Sequence, residues 1–266
     1  MLSWLKKMTP RIYTPEEIAK IRVSSLIVAD TLAEMAKMIA PGVSTLELDR
    51  KAEEFIRSQG GRPACKGFEG FPFTLCVSVN EFVVHGFPSE RKLKEGDIVS
   101  VDCVVEKDGY YGDSAYTFAV GQIEEPVRNL LEDTKASLYK GIEQVRAGNR
   151  VGDIGYAVQT YTESRGYGVV RELCGHGVGA HMHEKPDVLN YGRRGYGVQL
   201  KVGMVIAVEP MITLGKRNIG IAKNEWEVFT LDGKPAAHFE HSMAVTGEGA
   251  DILSSFEKVE QIIKNK

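Results

Sequence analysis

Two stretches of this chain repeat one another. LKEGDIVSVD (93–102) lies on LKVGMVIAVE (200–209) at an offset of 107, with identity at Leu93/Leu200, Lys94/Lys201, Gly96/Gly203 and Val101/Val208. At an offset of 106, Gly42 falls on Gly148, Leu48 on Ile154, Phe55 on Tyr161 and Gly60 on Gly166. Any two glycine-led amphipathic strands look alike, so the ten-residue match alone would decide little. Two matches at nearly one offset make internal duplication the better reading. Each strand copy ends in an acid, Asp102 in the first and Glu209 in the second. Two halves related by a pseudo-twofold axis would therefore bring two carboxylates onto facing strands at that axis.

The segments between the repeats agree with two passes of helices followed by strands. Thr14 followed by Pro15 is an N-cap with proline at the first helical position. Ile18, Ile21, Leu26, Ala29, Leu32, Met35 and Ile39 then recur at helical spacing, up to the stop at Pro41-Gly42. Ser44 or Thr45 caps a second helix that runs to about Gln59 and ends at Gly60-Gly61. Short strands are expected at 74–80, 97–105 and 110–120, helices at about 125–146 and 151–165, and then strands again. The C-terminal residues 253–266 read as a helical tail.

The 266 residues carry 33 Lys+Arg against 36 Asp+Glu, a formal net charge of −3, and are 43% hydrophobic. That is the balance of an ordinary globular chain, large enough to bury its own core without staples. A near-neutral charge supplies no general attraction for nucleic acid or an acidic membrane. The four cysteines, Cys65, Cys76, Cys103 and Cys174, form no CxxC pair and read as reduced thiols of a cytoplasmic protein. Residues 1–12 form a short lead-in whose scattered Leu2, Trp4 and Leu5 precede a double lysine. That is too little for a signal segment, and the reading is a frayed turn rather than a membrane anchor. No run approaches the ~20 apolar residues of a membrane helix.

The acids inside apolar runs carry the chemistry. Asp102 sits in VSVDCVV and Glu209 in VIAVEPMI. Taken singly, either could face water, because strands alternate faces. Buried alone, either would have to be paired or protonated. Asp113 changes the balance, because EKDG (106–109) turns the chain back on itself between Asp102 and Asp113. With a four-residue loop the two acids face each other directly. With Asp108-Gly109 as a two-residue loop they are diagonal neighbours on one face. A three-residue loop without a bulge would separate them. Carboxylates directly opposed across a ladder, with Cβ atoms about 4.5–5.5 Å apart, repel unless a cation lies between them. A second strand pair supplies Glu209 and Glu240, and His176 lies between glycines in CGHGVG. Four carboxylates and one imidazole suit two divalent ions about 3.5–4 Å apart, and the absence of thiolates disfavours structural zinc. A rival site of His176, His181 and His183 leaves Asp102 and Asp113 unexplained. His181 reads as a surface or loop histidine.

SVNEFVVHGFP (78–88), DIVSVDCVVEKDGYYGD (97–113), CGHGVG (174–179), AVEPMI (207–212) and FEHSMAVT (239–246) together resemble the ordered motifs of type I methionine aminopeptidases. The resemblance runs from about Tyr13 to Ile252. It implies the pita-bread α/β (α+β) fold, a pseudo-twofold duplication with antiparallel sheet covered by helices. The catalytic domain would span 13–252, in halves of about 13–121 and 122–252. By motif, Asp102, Asp113, His176, Glu209 and Glu240 would ligate two divalent ions (Co, Mn, Fe or Zn), with Asp113 and Glu240 touching both. His85 would meet the substrate near the scissile amide, His183 would bond the carbonyl oxygen, and Glu209 would also be the general base. Phe68, Phe71, Cys76, His85, Met182 and Trp226 would line the methionine pocket. Phe68 and Phe71 stand where family members often have tyrosine, and Met182 where many have phenylalanine. The 31 residues from Glu209 to Glu240 are too few for the insertion of type II enzymes, and the N-terminus lacks the zinc-finger extension of some type I relatives.

The resemblance implies removal of the initiator methionine from nascent chains, at the ribosome, when the second residue is small. It implies a cytoplasmic monomer with no nucleic-acid or membrane partner. A proline-directed aminopeptidase or prolidase on the same fold is the nearest rival, although those relatives carry a large extra N-terminal domain. A non-catalytic binder of peptides, ribosomes or proteins is the other, and such relatives typically lose the metal ligands.

Overall fold

The computed structural model describes residues 9–266, so most of the lead-in 1–12, where a frayed turn is expected, lies outside the described residues. The first half opens with α1 (Pro15–Met38) and α2 (Thr45–Ser58), followed by β1 (Arg62–Pro63), β2 (Leu75–Val79), β3 (Phe82–Val84), β4 (Ile98–Lys107) and β5 (Tyr110–Ala119). The second half repeats the plan with α3 (Glu125–Ile142) and α4 (Val151–Glu163). Its strands are β6 (Gly168–Val169), β7 (Gly175–Gly177), β8 (Glu184–Val188), β9 (Val205–Val208), β10 (Met211–Thr213), β11 (Ile219–Ile221), β12 (Val228–Thr230), β13 (Ala236–His238), β14 (His241–Val245) and β15 (Ala250–Ile252). A short helix, α5 (Glu257–Lys264), ends the chain.

Helix starts follow local chemistry. Thr14 accepts from the Glu17 N–H while the Glu17 carboxylate takes the Thr14 N–H, and Ser44 with Glu47 does the same for α2. The structure thus selects Ser44 over Thr45 as the cap. Of the helical positions read from the sequence, Ile21, Ala29, Leu32, Met35 and Ile39 are buried, whereas Leu26 is exposed and its neighbours Ile27 and Val28 take the core face. A 24-residue helix spans almost seven turns, so its buried stripe drifts relative to any fixed spacing.

The duplication is visible in hydrogen bonds. Gly42 N–H donates to the Leu93 carbonyl, and Gly148 N–H to the Leu200 carbonyl. The isolated bridge Ser44–Lys92 recurs as Arg150–Gln199. Gly42 and Gly148 have φ of 94° and 96°, a left-handed conformation that only glycine adopts without strain. In the first half β4 carries β2 and β1 on one edge and β5 on the other. In the second, the antiparallel order is β15-β14-β9-β7-β8. The two sheets meet where β5 runs beside residues 238–242. There Glu240 N–H donates to Ala115 O (2.9 Å), Ser242 Oγ to Asp113 O (2.8 Å) and Thr117 Oγ1 to His238 O (2.7 Å). One buried cluster runs from Ile27 through both halves to Phe256 and Val259, with the helices covering the sheets.

Candidate active site

The β4–β5 hairpin settles the register. Lys107 pairs with Tyr110 across Asp108-Gly109, whose φ values of 52° and 80° make a two-residue turn of the kind that matches strand twist. Asp102 therefore faces Ala115 and Asp113 faces Val104, which makes the two acids diagonal neighbours on one face of the sheet. Glu209 follows β9, its carbonyl held by Asn190 Nδ2 at 2.9 Å. Glu240 lies between β13 and β14, its carbonyl held by Ser114 Oγ at 2.6 Å. Hydroxyl bonds to the main chain at Asp113 and Glu240 hold these side chains where the two halves meet.

His176 completes the set. A Cβ added at Gly175 would lie 2.4 Å from the Ala207 carbonyl oxygen, and one at Gly177 2.5 Å from that of Lys185, so glycines are required for the close approach of β7 to its neighbours. Nδ1 of His176 is 3.0 Å from the Gly177 carbonyl oxygen. A proton there leaves the Nε2 lone pair facing inward, 3.5 Å from Glu209 and 3.7 Å from Asp113. Ligand atoms of Asp113, His176 and Glu240 lie within 4.8 Å of one another.

The electrostatics show what this cluster can hold. Removal from water raises the Asp102 carboxyl to about 6 and the Glu209 carboxyl to about 8. Burial, then the mutual proximity of the acids, pushes Asp113 and Glu240 well above the usual carboxylate range. Burial takes His176 down to about 3, so its imidazole is neutral. Asp102 Oδ1, Asp113 Oδ1 and Glu240 Oε1 are buried without a hydrogen-bond partner. Buried acceptors without donors are costly, and acids this close cannot all ionise alone. Divalent cations fit this donor set, which is hard oxygen with one neutral nitrogen. His181 is exposed and has no place in it.

The cavity over the cluster measures about 420 Å³ and is lined by the acids together with Phe68, Phe71, Cys76, Met182 and Trp226. Phe71 stands edge-to-face with Trp226 at 5.1 Å and with Phe87 at 5.3 Å. A hydrogen bond to the Cys65 thiol, together with burial, pushes the Cys76 thiol up, so it is a neutral, soft wall. His85 takes the left-handed region (φ 58°), a conformation costly for a residue with a Cβ and concentrated at functional sites. Burial lowers its pKa to about 4, so it enters the cavity neutral. His183 lies at the rim, its ring 4.5 Å from that of His176 and 5.3 Å from that of Phe68.

Every site residue read from the sequence lines this one cavity. The reading missed His238, which is 2% exposed, has neither ring nitrogen hydrogen-bonded and lies 3.6 Å from Glu209 Oε2. Its signal was present: in HFEHSM, position 238 is two residues before Glu240, on the same face of an extended chain. Cys65, Val84, Val104, Leu173 and Met211 were also missed, because singly each reads as ordinary core.

The profile of metallopeptidase family M24 matches residues 19–247. Methionine aminopeptidase 1 of Bacillus subtilis (strain 168) is 48% identical over 241 residues, 91% of this chain and 97% of that protein. The crystal structure of methionine aminopeptidase from Rickettsia prowazekii superposes with a TM-score of 0.92 at 40% identity, covering 93% of this chain and all of that one. Prolidase from Pyrococcus furiosus shares the fold at a TM-score of 0.76, with 22% identity and 68% of its length covered. With similarity of this extent along almost all of its length, the chain belongs to metallopeptidase family M24, on its methionine aminopeptidase branch.

Proposed function

We propose that this chain removes the N-terminal methionine from polypeptides by metal-dependent hydrolysis. The observation that carries the reading is the set of partnerless buried oxygens on Asp102, Asp113 and Glu240, converging with His176 at the floor of an aromatic, sulfur-lined cavity. Asp102, Asp113, His176, Glu209 and Glu240 would hold two divalent ions, of Co, Mn, Fe or Zn. Such ions lower the pKa of bound water and polarise a carbonyl.

The side chains do the rest. Phe68, Phe71, Cys76, Met182 and Trp226 take up an unbranched thioether and fix the scissile bond over the carboxylates. Glu209, anchored through its main chain by Asn190, accepts the proton of the attacking water and passes it to the leaving amine. His85 and His183, which both line the cavity, donate to the amide and to the oxygen on which charge develops. Neutral imidazoles suit that role, since they donate without repelling the substrate amino group.

The natural substrates in this reading are nascent chains with a small second residue, met at the ribosome by a cytoplasmic monomer. Among the described residues no helix is long and apolar enough to cross a membrane. The test is methionine release from Met-Ala and Met-Leu peptides and from a proline-containing dipeptide, with metal-stripped protein and with added Mn(II) or Co(II). Metal-dependent cleavage of Met-Ala, with Met-Leu cut poorly, is expected. Cleavage only before proline would move the chain to the prolidase reading, and silence with every metal would leave a non-catalytic binder.

A further inference from the structure

We infer that Glu69 makes the mouth of this cleft select polypeptides with a cationic side chain at the third or fourth residue; the inference rests on the methionine-removing reading above. Glu69 lies in the single turn Phe68–Gly70, with φ 48° and ψ 27°, between Gly67 at φ 90° and Gly70 at φ 88°. A left-handed position is one that glycine or asparagine fills at least cost, yet this chain puts a carboxylate there. The turn holds the side chain at the rim of the cavity, beside Phe68.

Charge balance around the rim singles this residue out. No lysine or arginine lines the cavity. Of the acids at its mouth, Asp187 is paired with Lys185 at 2.7 Å, and Glu172 faces Arg217 at 4.0 Å. Glu69 is exposed and, among the described residues, has neither an ion pair nor a side-chain hydrogen bond. The cations of the adjoining depression are already taken: Lys66 by Glu53 at 2.6 Å and Arg62 by Glu106 at 2.9 Å. An uncompensated carboxylate at a cleft mouth favours a positive ligand group.

Distance assigns the position. Ring centroids step 4.5 Å from His176 to His183 and 5.3 Å from His183 to Phe68, so about 10 Å at most separates the ligand cluster's imidazole from the Phe68 ring, the partly exposed wall of the methionine pocket, next to which Glu69 stands exposed. An extended chain covers roughly 3.3–3.6 Å per residue. With methionine in the pocket and the scissile bond over the carboxylates, the third and fourth residues pass Glu69.

The test compares kcat/KM of the metal-loaded protein for C-terminally amidated Met-Ala-Lys-Ala, Met-Ala-Ala-Ala and Met-Ala-Glu-Ala, and for the same series varied at the fourth residue. At low salt the lysine peptide is expected to exceed the glutamate peptide by roughly two- to five-fold, the range of an exposed charge pair. The difference should lie mainly in KM, because the contact is the same in ground and transition states. It should shrink in ~0.5 M KCl, where screening is strong. Glu69→Gln should bring the ratio close to one, and Glu69→Lys should invert it. Equal rates on all peptides, or a preference that survives Glu69→Gln, overturn this inference alone. No methionine release from Met-Ala-Ala-Ala with any metal overturns the underlying reading and this inference with it.

Discussion

At the scale of single residues, the site separates groups that would hold metal from groups that would act on substrate. In the proposed reading Glu209 would belong to both, and its carboxylate lies 3.5 Å from His176 and 3.6 Å from His238. Replacing it with glutamine keeps the shape and removes the proton acceptor, so Glu209→Gln should abolish detectable turnover; near-normal activity would sink its role as general base. His85 and His183 are not in the carboxylate cluster. Their replacement by alanine should lower kcat about 10²-fold or more, the usual effect of losing one donor to a developing oxyanion, with metal content by mass spectrometry unchanged. Metal loss in either variant would move that histidine into the ligand set. Legibility at this scale followed chemistry. A carboxylate in a run of valines is conspicuous because burying it is costly, whereas Cys65 or Val104 beside a pocket differs in nothing from core.

Among the elements, the β4–β5 hairpin and α1 carry most of the positioning. The sequence left three registers open around EKDG, and the positive φ of both Asp108 and Gly109 closed the question in favour of diagonal acids. Just before Asp113, Gly112 is the point where β5 touches α1: a Cβ there would stand 2.2 Å from Ser25 N and 2.5 Å from Ser25 Cα. Both are backbone atoms and cannot turn aside. Gly112→Ala should therefore push α1 off the sheet, costing roughly 1–3 kcal/mol. A fall of about 2–4 °C in melting temperature per kcal/mol is expected at this size, together with weaker metal binding through the displaced Asp113. An unchanged melting curve and metal affinity would show that the helix is free to move. Nothing in the local sequence marks this glycine, because its constraint comes from a helix 87 residues away.

For the whole molecule, the duplicated halves concentrate like charge at their junction, and pH should report it. Glu209 has an ordinary value of 4.5 and about 8 in the fold, and Asp102 goes from 3.8 to about 6. Folding thus takes up protons at these acids, a stabilisation complete below their ordinary values and lost as pH rises through the folded ones. His176 and His85, lowered from 6.5 to about 3 and 4, act in the opposite sense, adding stability as pH rises to 6.5. Burial lowers His183, His238 and His241 as well, and the histidine contribution fades as pH passes their ordinary value of 6.5, whereas Glu209 titrates on toward 8. The metal-free protein should lose stability between about pH 6.5 and 8.5, and added Mn(II) should stabilise it more at pH 8 than at pH 6, because metal then displaces fewer protons. Thermal melts with and without chelator check both; a metal-free melting temperature that rises across that window would contradict the buried-acid account.

The residues themselves determined the duplication, the cap of α1, the two-half plan and the conspicuous acids Asp102, Asp113 and Glu209, because each depends on neighbours in the chain or on the cost of an acid in an apolar run, and the family motifs completed the candidate ligand set with His176 and Glu240. The fold alone decided the hairpin register among three, the place of His238 against Glu209, the need for Gly112, and which of three mouth carboxylates lacks a partner. Those depend on which strands and helices approach across the junction of the halves, and no local pattern encodes a distance between elements that meet only after folding.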